Sequence, residues 1–172
     1  MAAMPKPSIL FVCLGNICRS PLAEGVLRAV LSAKGMAEGV DIDSAGTGAW
    51  HAGSAPDPRS VAIAARNGID ISGQRARKVR PEDFSRFELI LGMDHSNVEL
   101  LRAMAPQDGT DRVHLFLDFA GRGDIEVPDP YFGGANGFDE VYRMIRVASE
   151  AVADRLGARL SAPARGQVSS IT

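Results

Sequence analysis

The stretch Ile9-Leu-Phe-Val-Cys-Leu-Gly-Asn-Ile-Cys-Arg-Ser-Pro21 joins an apolar segment to the start of a helical pattern through a short polar loop. Its first four residues are apolar and partly β-branched, which is typical of a strand buried on both faces. Ser20 and Pro21 suit the N-cap and the first position of a helix, and apolar residues then recur at helical spacing towards Gly35. The order strand, loop, helix predicts the first unit of an α/β fold.

Strands and helices alternate along the rest of the chain. The pattern predicts further strands over residues 40–44, 87–91 and 113–116, and further helices over residues 59–67, 95–104 and 138–157. This alternation predicts a parallel sheet that helices cover on both faces. A length of 172 residues suits one domain, which we place at residues 1–160, followed by a flexible tail over residues 161–172.

The loop after the first strand has the composition of an anion-binding site. In α/β sheets, ligands bind beyond the carboxyl ends of the strands. Gly15 and Asn16 tolerate a positive φ, so successive N–H groups can point at one anion, and the next helix directs its positive end to the same place. Arg19 can add a planar, permanently charged clamp for an oxyanion.

Cys13 stands at the start of this loop, where a helix N-terminus and a nearby cation favour the thiolate form of a cysteine. A thiolate is a strong nucleophile, and a tetrahedral oxyanion bound by Arg19 would lie in line with the sulfur. The predicted reaction is therefore phosphoryl transfer to sulfur. The alternative is a small core cysteine beside a solvated arginine, since buried cysteines are common.

Asp129 is the candidate proton donor for the leaving group that such a transfer requires. Pro128 and Pro130 fix the backbone on both sides of it and exclude helix or strand pairing. An aspartate on a rigid loop can serve as a preorganised general acid. The alternative is an ordinary Asp-Pro turn without a catalytic role.

Composition argues against several other classes of protein. A net charge of −2 provides no field of one sign for binding nucleic acid or a membrane surface. No apolar run is long enough for a membrane span and no signal peptide is recognisable, so we expect a cytoplasmic protein. The two cysteines, Cys13 and Cys18, can build neither a disulfide scaffold nor a four-ligand zinc site, so no metal is predicted.

Two segments closely resemble the motifs of the low-molecular-weight protein tyrosine phosphatases, namely residues 12–21 and the Asp-Pro-Tyr of residues 129–131. Similar stretches lie at residues 44–47, 76–77 and 93–94, and the resemblance runs in order from about residue 8 to residue 156. It implies a three-layer fold in which helices flank both faces of a four-stranded parallel sheet. It also implies a reaction without a metal or an organic cofactor.

The resemblance assigns a role to each residue of the reaction. Cys13 forms a cysteinyl-phosphate, Arg19 binds the phosphoryl group, and Asp129 acts first as a general acid and then as a general base. Ser20 assists the departure of the thiolate. The phosphate-binding loop comprises Leu14, Gly15, Asn16, Ile17, Cys18 and Ser20.

Further residues are assigned by the same resemblance. Asn16 and Ser44 match residues whose hydrogen bonds hold the loop in shape. Gln74 stands where many members have a histidine; glutamine can form the same hydrogen bond but cannot titrate. The walls of the substrate pocket are expected at Trp50, Tyr131 and Phe132, the last of which replaces a second tyrosine of many members.

The resemblance predicts a phosphotyrosine protein as the substrate. The apolar Ile17 favours phosphotyrosine, because phosphoarginine-specific relatives have threonine at this position. A tyrosine kinase is one candidate partner, since many bacterial members act on kinases of polysaccharide export. We expect a monomer or a weak dimer.

Cys18, the second cysteine of the loop, has a candidate role in redox protection. It can reach Cys13 within the loop, and a reversible disulfide would protect the nucleophile from irreversible oxidation; the alternative is a packing cysteine behind the loop.

Thioredoxin-linked arsenate reductases share the fold but pass electrons to cysteines farther along the chain, and none follows Cys18. A module that only binds phosphate would need neither Cys13 nor Asp129.

Overall fold

A four-stranded parallel sheet lies at the centre of the computed structural model, which describes residues 6–131, 133 and 136–161. The strands are β1 (Ser8–Cys13), β2 (Asp41–Gly46), β3 (Leu89–Gly92) and β4 (Val113–Leu115). Their order across the sheet is β2-β1-β3-β4, and all three pairings are parallel. Cys13 pairs with Gly46 of β2, and Val12 pairs with Gly92 of β3. The carboxyl end of β1 therefore lies between the carboxyl ends of its two neighbours.

Helices cover both faces of this sheet. In the described part of the chain they are α1 (Arg19–Ala33), α2 (Pro58–Arg66), α3 (Asp83–Arg86), α4 (His95–Met104), α5 (Phe116–Phe119) and α6 (Asn136–Ser161). Side chains of β1 alternate between two cores, as the pleat of a strand requires. Ile9 and Phe11 pack in the core that includes residues of α1, α2 and α6, whereas Leu10 and Val12 pack with residues of α3 and α4. The predicted three-layer α/β fold is confirmed.

The boundaries of several elements differ from the predictions. Phe116 does not extend β4; it begins α5, which is only four residues long. Neither α3 nor α5 is long enough to show a helical period in the sequence, and neither was predicted. The long C-terminal helix α6 extends over residues 136–161, beyond the predicted range at both ends.

The start of α1 also differs. The helix begins at Arg19 rather than at Pro21, and Ser20 is not its N-cap. Pro21 is the third residue of the helix, where the missing N–H has no partner within the helix to lose. Starting the helix two residues earlier brings Arg19 into its first turn.

The end of the chain was predicted as a tail beginning at Ser161. Ser161 is the last residue of α6, and residues 162–172 lie outside the described residues. None of the helices in residues 6–131 and 136–161 is both long and apolar enough to cross a membrane.

Candidate active site

The predicted anion-binding loop surrounds a cleft of about 220 Å³ at the carboxyl end of β1. Cys13 is the last residue of β1 and Arg19 the first residue of α1, so a strand end and a helix start fix the two side chains. Asp129 reaches the same cleft from a distant loop. The remaining residues lining the cleft are Leu14, Gly15, Ile17, Cys18, Trp50, His51 and Tyr131. Phe132, predicted as a third wall residue, lies outside the described residues.

Asn16 gives the loop its turn. Its φ of 58° lies in the left-handed region, which asparagine tolerates better than most residues. Gly15, which also tolerates a positive φ, does not adopt one. Its lack of a side chain has another use, because a Cβ atom at Gly15 would lie 2.9 Å from Cδ2 of His51. Glycine here allows the imidazole to pack directly against the loop.

The side chain of Asn16 ties the loop to three other segments. Its Nδ2 donates to Oγ of Ser20 in α1 (2.8 Å) and to Oγ of Ser44 in β2 (3.0 Å). Its Oδ1 accepts a hydrogen bond from the backbone N–H of Arg77 (3.0 Å). Ser44 in turn donates to the buried carboxyl of Glu24 (2.8 Å). Burial raises the pKa of Glu24 above its ordinary value, although the hydrogen bond from Ser44 acts in the opposite direction.

Gln74 does not join this network. Its Nε2 donates to the backbone carbonyl of Pro21 in the first turn of α1 (3.0 Å). Its buried Oε1 has no hydrogen-bond partner in the described part of the chain. Gln74 therefore supports the start of α1, and it does not replace a histidine as a partner of Asn16 or Ser44.

Cys13 and Ser20 form a second contact within the loop. Sγ of Cys13 lies 3.0 Å from Oγ of Ser20, and both side chains are buried. Oγ of Ser20 accepts a hydrogen bond from Asn16, and its single proton has two acceptors within reach, the Cys13 sulfur at 3.0 Å and the backbone carbonyl of Ala45 at 3.4 Å.

Arg19 is held by two acceptors on its Nη1. The residue is only 2% exposed, and Nη1 donates to Oδ2 of Asp94 (2.6 Å) and to the backbone carbonyl of Val127 (3.0 Å). Burial alone would lower the pKa of Arg19, but the nearby Cys13, Asp94 and Asp129 outweigh it and raise the pKa above its ordinary value. The guanidinium is therefore a permanent positive charge on the floor of the cleft.

Asp94 is a residue whose contact with Arg19 was not predicted. It follows β3 and caps α4, because its Oδ1 accepts a hydrogen bond from the backbone N–H of Asn97 (2.8 Å) while its Oδ2 binds Arg19. The sequence carries the signal of the cap, an Asp with Asn three residues later, at the carboxyl end of a buried strand. The partner 75 residues earlier could not be read from that pattern.

Asp129 belongs to a segment that we call the acid loop, residues 127–131. The N–H of Val127 donates to the carbonyl of Met93 at the end of β3 (2.8 Å), which attaches the loop to the sheet. Oδ1 of Asp129 accepts a hydrogen bond from the N–H of Tyr131 (3.0 Å), and Oδ2 lies 3.6 Å from Nη2 of Arg19. The side chain of Asp129 is 40% exposed, so it faces both the guanidinium and the opening of the cleft.

The rim of the cleft is apolar and open to solvent. Trp50 is 72% exposed, and Leu14 and Tyr131 are also exposed. The ring of His51 lies 6.5 Å from that of Tyr131, between centroids. His51 was not predicted as a site residue; its position beside Trp50 was the available signal.

Across the described ranges, no group of three His, Cys, Asp or Glu side chains is placed to hold a metal ion.

Comparison with known proteins identifies the family. The model of the family described as low molecular weight phosphotyrosine protein phosphatase matches residues 8–162, which is most of the chain. The chain belongs to this phosphatase family. The resemblance seen in the sequence is thereby confirmed.

Relatives of the phosphatase match over most of their own length. A low molecular weight phosphotyrosine protein phosphatase of Schizosaccharomyces pombe is 46% identical over 136 residues, covering 78% of this chain and 86% of the relative. The protein-tyrosine-phosphatase YfkJ of Bacillus subtilis is 42% identical over 144 residues, covering 83% and 91%. The crystal structure of YfkJ superposes with a TM-score of 0.84 at 37% identity, over 92% of this chain and 99% of that one.

Asn16 offers a test of how the loop of the phosphatase is held. Asn16→Gly keeps the positive φ but removes three side-chain hydrogen bonds, so we expect the free energy of unfolding to fall by roughly 1.5–4.5 kcal/mol. Asn16→Ala should be less stable still, by about 1 kcal/mol, because the left-handed conformation costs an alanine more than the extra backbone entropy costs a glycine. Chemical denaturation measures both values. An alanine variant as stable as the wild type would contradict this account.

Proposed function

We propose that this phosphatase hydrolyses phosphotyrosine and aryl phosphates through a cysteinyl-phosphate intermediate on Cys13. The proposal is carried by one observation, the presence of Cys13, Arg19 and Asp129 around a single cleft. A nucleophile, a fixed positive charge and a proton donor are the groups that a phosphoryl transfer to sulfur requires. A module that only binds phosphate would have no use for the nucleophile or the acid.

In the first step the Cys13 thiolate attacks phosphorus. The S–P bond forms, the bond from phosphorus to the aryl oxygen breaks, and Asp129 donates its proton to that oxygen. Both N–H groups of Nη1 in Arg19 are directed to Asp94 and Val127. Nε and Nη2 bind two phosphoryl oxygens side by side, and Nη2 exchanges its contact with Asp129 (3.6 Å) for the substrate. Backbone N–H groups of the loop and the N-terminus of α1 stabilise the remaining charge.

In the second step water attacks the phosphocysteine. Asp129, now a carboxylate, accepts a proton from the water as the O–P bond forms and the S–P bond breaks. Sulfur departs as a thiolate, and the hydroxyl of Ser20, 3.0 Å from Sγ, stabilises it by donating a hydrogen bond. Side chains, backbone N–H groups and water supply every group in the two steps, so the proposal requires no metal or organic cofactor.

The rim of the cleft supports an aromatic substrate. The exposed rings of Trp50 and Tyr131 line the cleft and present aromatic surface that suits a flat phosphorylated ring. Ile17 lines the same cleft and provides no side-chain acceptor for the N–H groups of a phosphoarginine. A phosphotyrosine protein is therefore the proposed substrate, and an autophosphorylated tyrosine kinase is one candidate.

Steady-state kinetics of three variants test the proposal. We expect Cys13→Ser to lose turnover of 4-nitrophenyl phosphate, while Cys18→Ser, the matched control, retains it. We expect Asp129→Asn to lower kcat/KM about 10²–10⁴-fold for phosphotyrosine, whose leaving oxygen needs a proton, and far less for 4-nitrophenyl phosphate. Vanadate should inhibit competitively. An active Cys13→Ser variant, or an Asp129→Asn variant with the wild-type rate on phosphotyrosine, would overturn the mechanism.

We also propose that Cys18 protects Cys13 through a reversible disulfide. Both cysteines are free and buried, and both line the same cleft. Burial, together with the negative charge of Asp57, raises the pKa of Cys18 to about 12, so Cys18 remains a thiol at neutral pH. A peroxide would transfer oxygen to the Cys13 thiolate, and the resulting sulfenic acid would condense with the Cys18 thiol, releasing water.

Peroxide treatment followed by a thiol reductant tests this protection. We expect the oxidised wild type to contain a disulfide between Cys13 and Cys18, detected by mass spectrometry of its peptides, and to recover activity on reduction. Cys18→Ser should lose this recovery under prolonged oxidation. Absence of the disulfide in the wild type, or equal recovery of both proteins, contradicts the proposal.

A further inference from the structure

Arg59 lies at the edge of the active site and has no role in the mechanism above. It is the second residue of α2, directly after Pro58. Its Nε and Nη2 donate to the two oxygens of Asp57 (3.0 and 2.9 Å), which forms a bidentate pair. Asp57 is buried, and the hydrogen bonds from Arg59 lower the pKa of its carboxyl below the ordinary value. The carboxylate of Asp57 therefore fixes the orientation of the guanidinium.

The start of α2 is attached to the phosphate-binding loop. The N–H of Asp57 donates to the carbonyl of Ile17 (2.8 Å). Oγ of Ser60 donates to the carbonyl of Cys18 (3.2 Å), and Ser60 is fully buried. The position of Arg59 is thus set by the same loop that surrounds the Cys13 sulfur.

The third nitrogen of Arg59 reaches the acid loop. Nη1 donates to the carbonyl of Tyr131 (3.1 Å). The guanidinium carbon lies 5.5 Å from the ring centroid of Tyr131 and 4.7 Å from that of Phe138 in α6, within the range of cation–π contacts. The N–H of Tyr131 donates to the carboxyl of Asp129 (3.0 Å). One residue therefore accepts a hydrogen bond from Arg59 and donates one to the general acid.

The opposite end of the acid loop has its own attachments. The N–H of Val127 donates to the carbonyl of Met93, and the carbonyl of Val127 accepts a hydrogen bond from Arg19. Glu126, the residue directly before the loop, accepts a hydrogen bond on its carboxyl from the N–H of His95 at the start of α4 (2.8 Å). The two ends are thus bound to different sides of the cleft, one to the end of β3 and the start of α4, the other to α2. The position of Asp129 between them depends on both.

We propose that Arg59 is a positioning residue that holds the acid loop against the phosphate-binding loop and so sets the distance from Asp129 to the leaving oxygen. The inference rests on the proposed function, in which Asp129 donates the proton. The Arg59 side chain is 44% exposed, so its ion pair adds little to stability. Catalytic geometry is far more sensitive, because a misplacement of about 1 Å can cost on the order of 10²-fold in rate.

The test compares two substrates that differ in how much they need the acid. For Arg59→Gln we expect kcat/KM to fall roughly ten-fold for phenyl phosphate, whose leaving oxygen is strongly basic, and less than about two-fold for 4-nitrophenyl phosphate. Arg66→Gln is the matched control: Arg66 is also in α2, and it lies 3.9 Å from Asp139 of α6 without contacting the acid loop. It should leave the ratio of the two kcat/KM values unchanged.

Two further variants separate positioning from charge. Arg59→Lys keeps the positive charge but lacks the planar fork that binds Asp57 and Tyr131 together, so the ratio should shift as it does in Arg59→Gln. In an Asp129→Asn background, Arg59→Gln should cause no further shift. Thermal unfolding checks each variant, and the lysine variant carries the test if the glutamine variant does not fold.

The outcomes distinguish this inference from the proposed function. If Asp129→Asn itself fails to discriminate between the substrates, the proposed function falls, and the role of Arg59 with it. If Asp129→Asn behaves as proposed, three results overturn the role of Arg59 alone. These are an unchanged ratio in Arg59→Gln, a wild-type ratio in Arg59→Lys, and an additional shift in the Asp129→Asn background.

Discussion

The ion pair between Arg19 and Asp94 is the contact on which the active site depends. A guanidinium that is 2% exposed would be strongly destabilising without a carboxylate partner. Asp94 provides that partner from the end of β3, and the carbonyl of Val127 binds the same nitrogen from the acid loop. Satisfying this one buried cation therefore joins three segments of the chain, and Nη2 of the same guanidinium lies 3.6 Å from Oδ2 of Asp129 in the cleft.

The loop at the base of the cleft is held by hydrogen bonds, whereas the rim of the cleft is exposed to solvent. The phosphate-binding loop is held by the amide of Asn16 and, through Ser44, by the buried Glu24. The rim, by contrast, presents exposed apolar side chains such as Trp50. A fixed loop suits chemistry that is identical for every substrate, whereas an open rim leaves space for the protein that carries the phosphate. Gln74 takes part in neither: its Nε2 donates to the carbonyl of Pro21 in the first turn of α1, and its Oε1 has no hydrogen-bond partner in the described part of the chain.

Local parts of the site could be predicted because strand, loop and helix follow within one short stretch. Cys13 and Arg19 stand six residues apart, a spacing that is common by chance; the apolar strand before the loop, Gly15 and Asn16 within it and the Ser-Pro pair after it are what made the site predictable. Asp129 was found from its flanking prolines. Partners that depend on sheet register, such as Asp94, were beyond reach, since a cap motif does not reveal which distant cation it binds. Ser20 was misassigned as an N-cap: the helix already begins at Arg19, and the Ser20 hydroxyl contacts Asn16 and the Cys13 sulfur.

The central claim is that sulfur of Cys13 carries the phosphoryl group during turnover, and rapid quenching tests it most directly. The enzyme is mixed with an aryl phosphate labelled in its phosphoryl group, quenched within the first turnovers, digested and analysed by mass spectrometry. The account predicts label on the peptide containing Cys13, bound through sulfur, at a level that falls as substrate is exhausted. Label on another residue, or steady turnover with no labelled protein at any time, would contradict it.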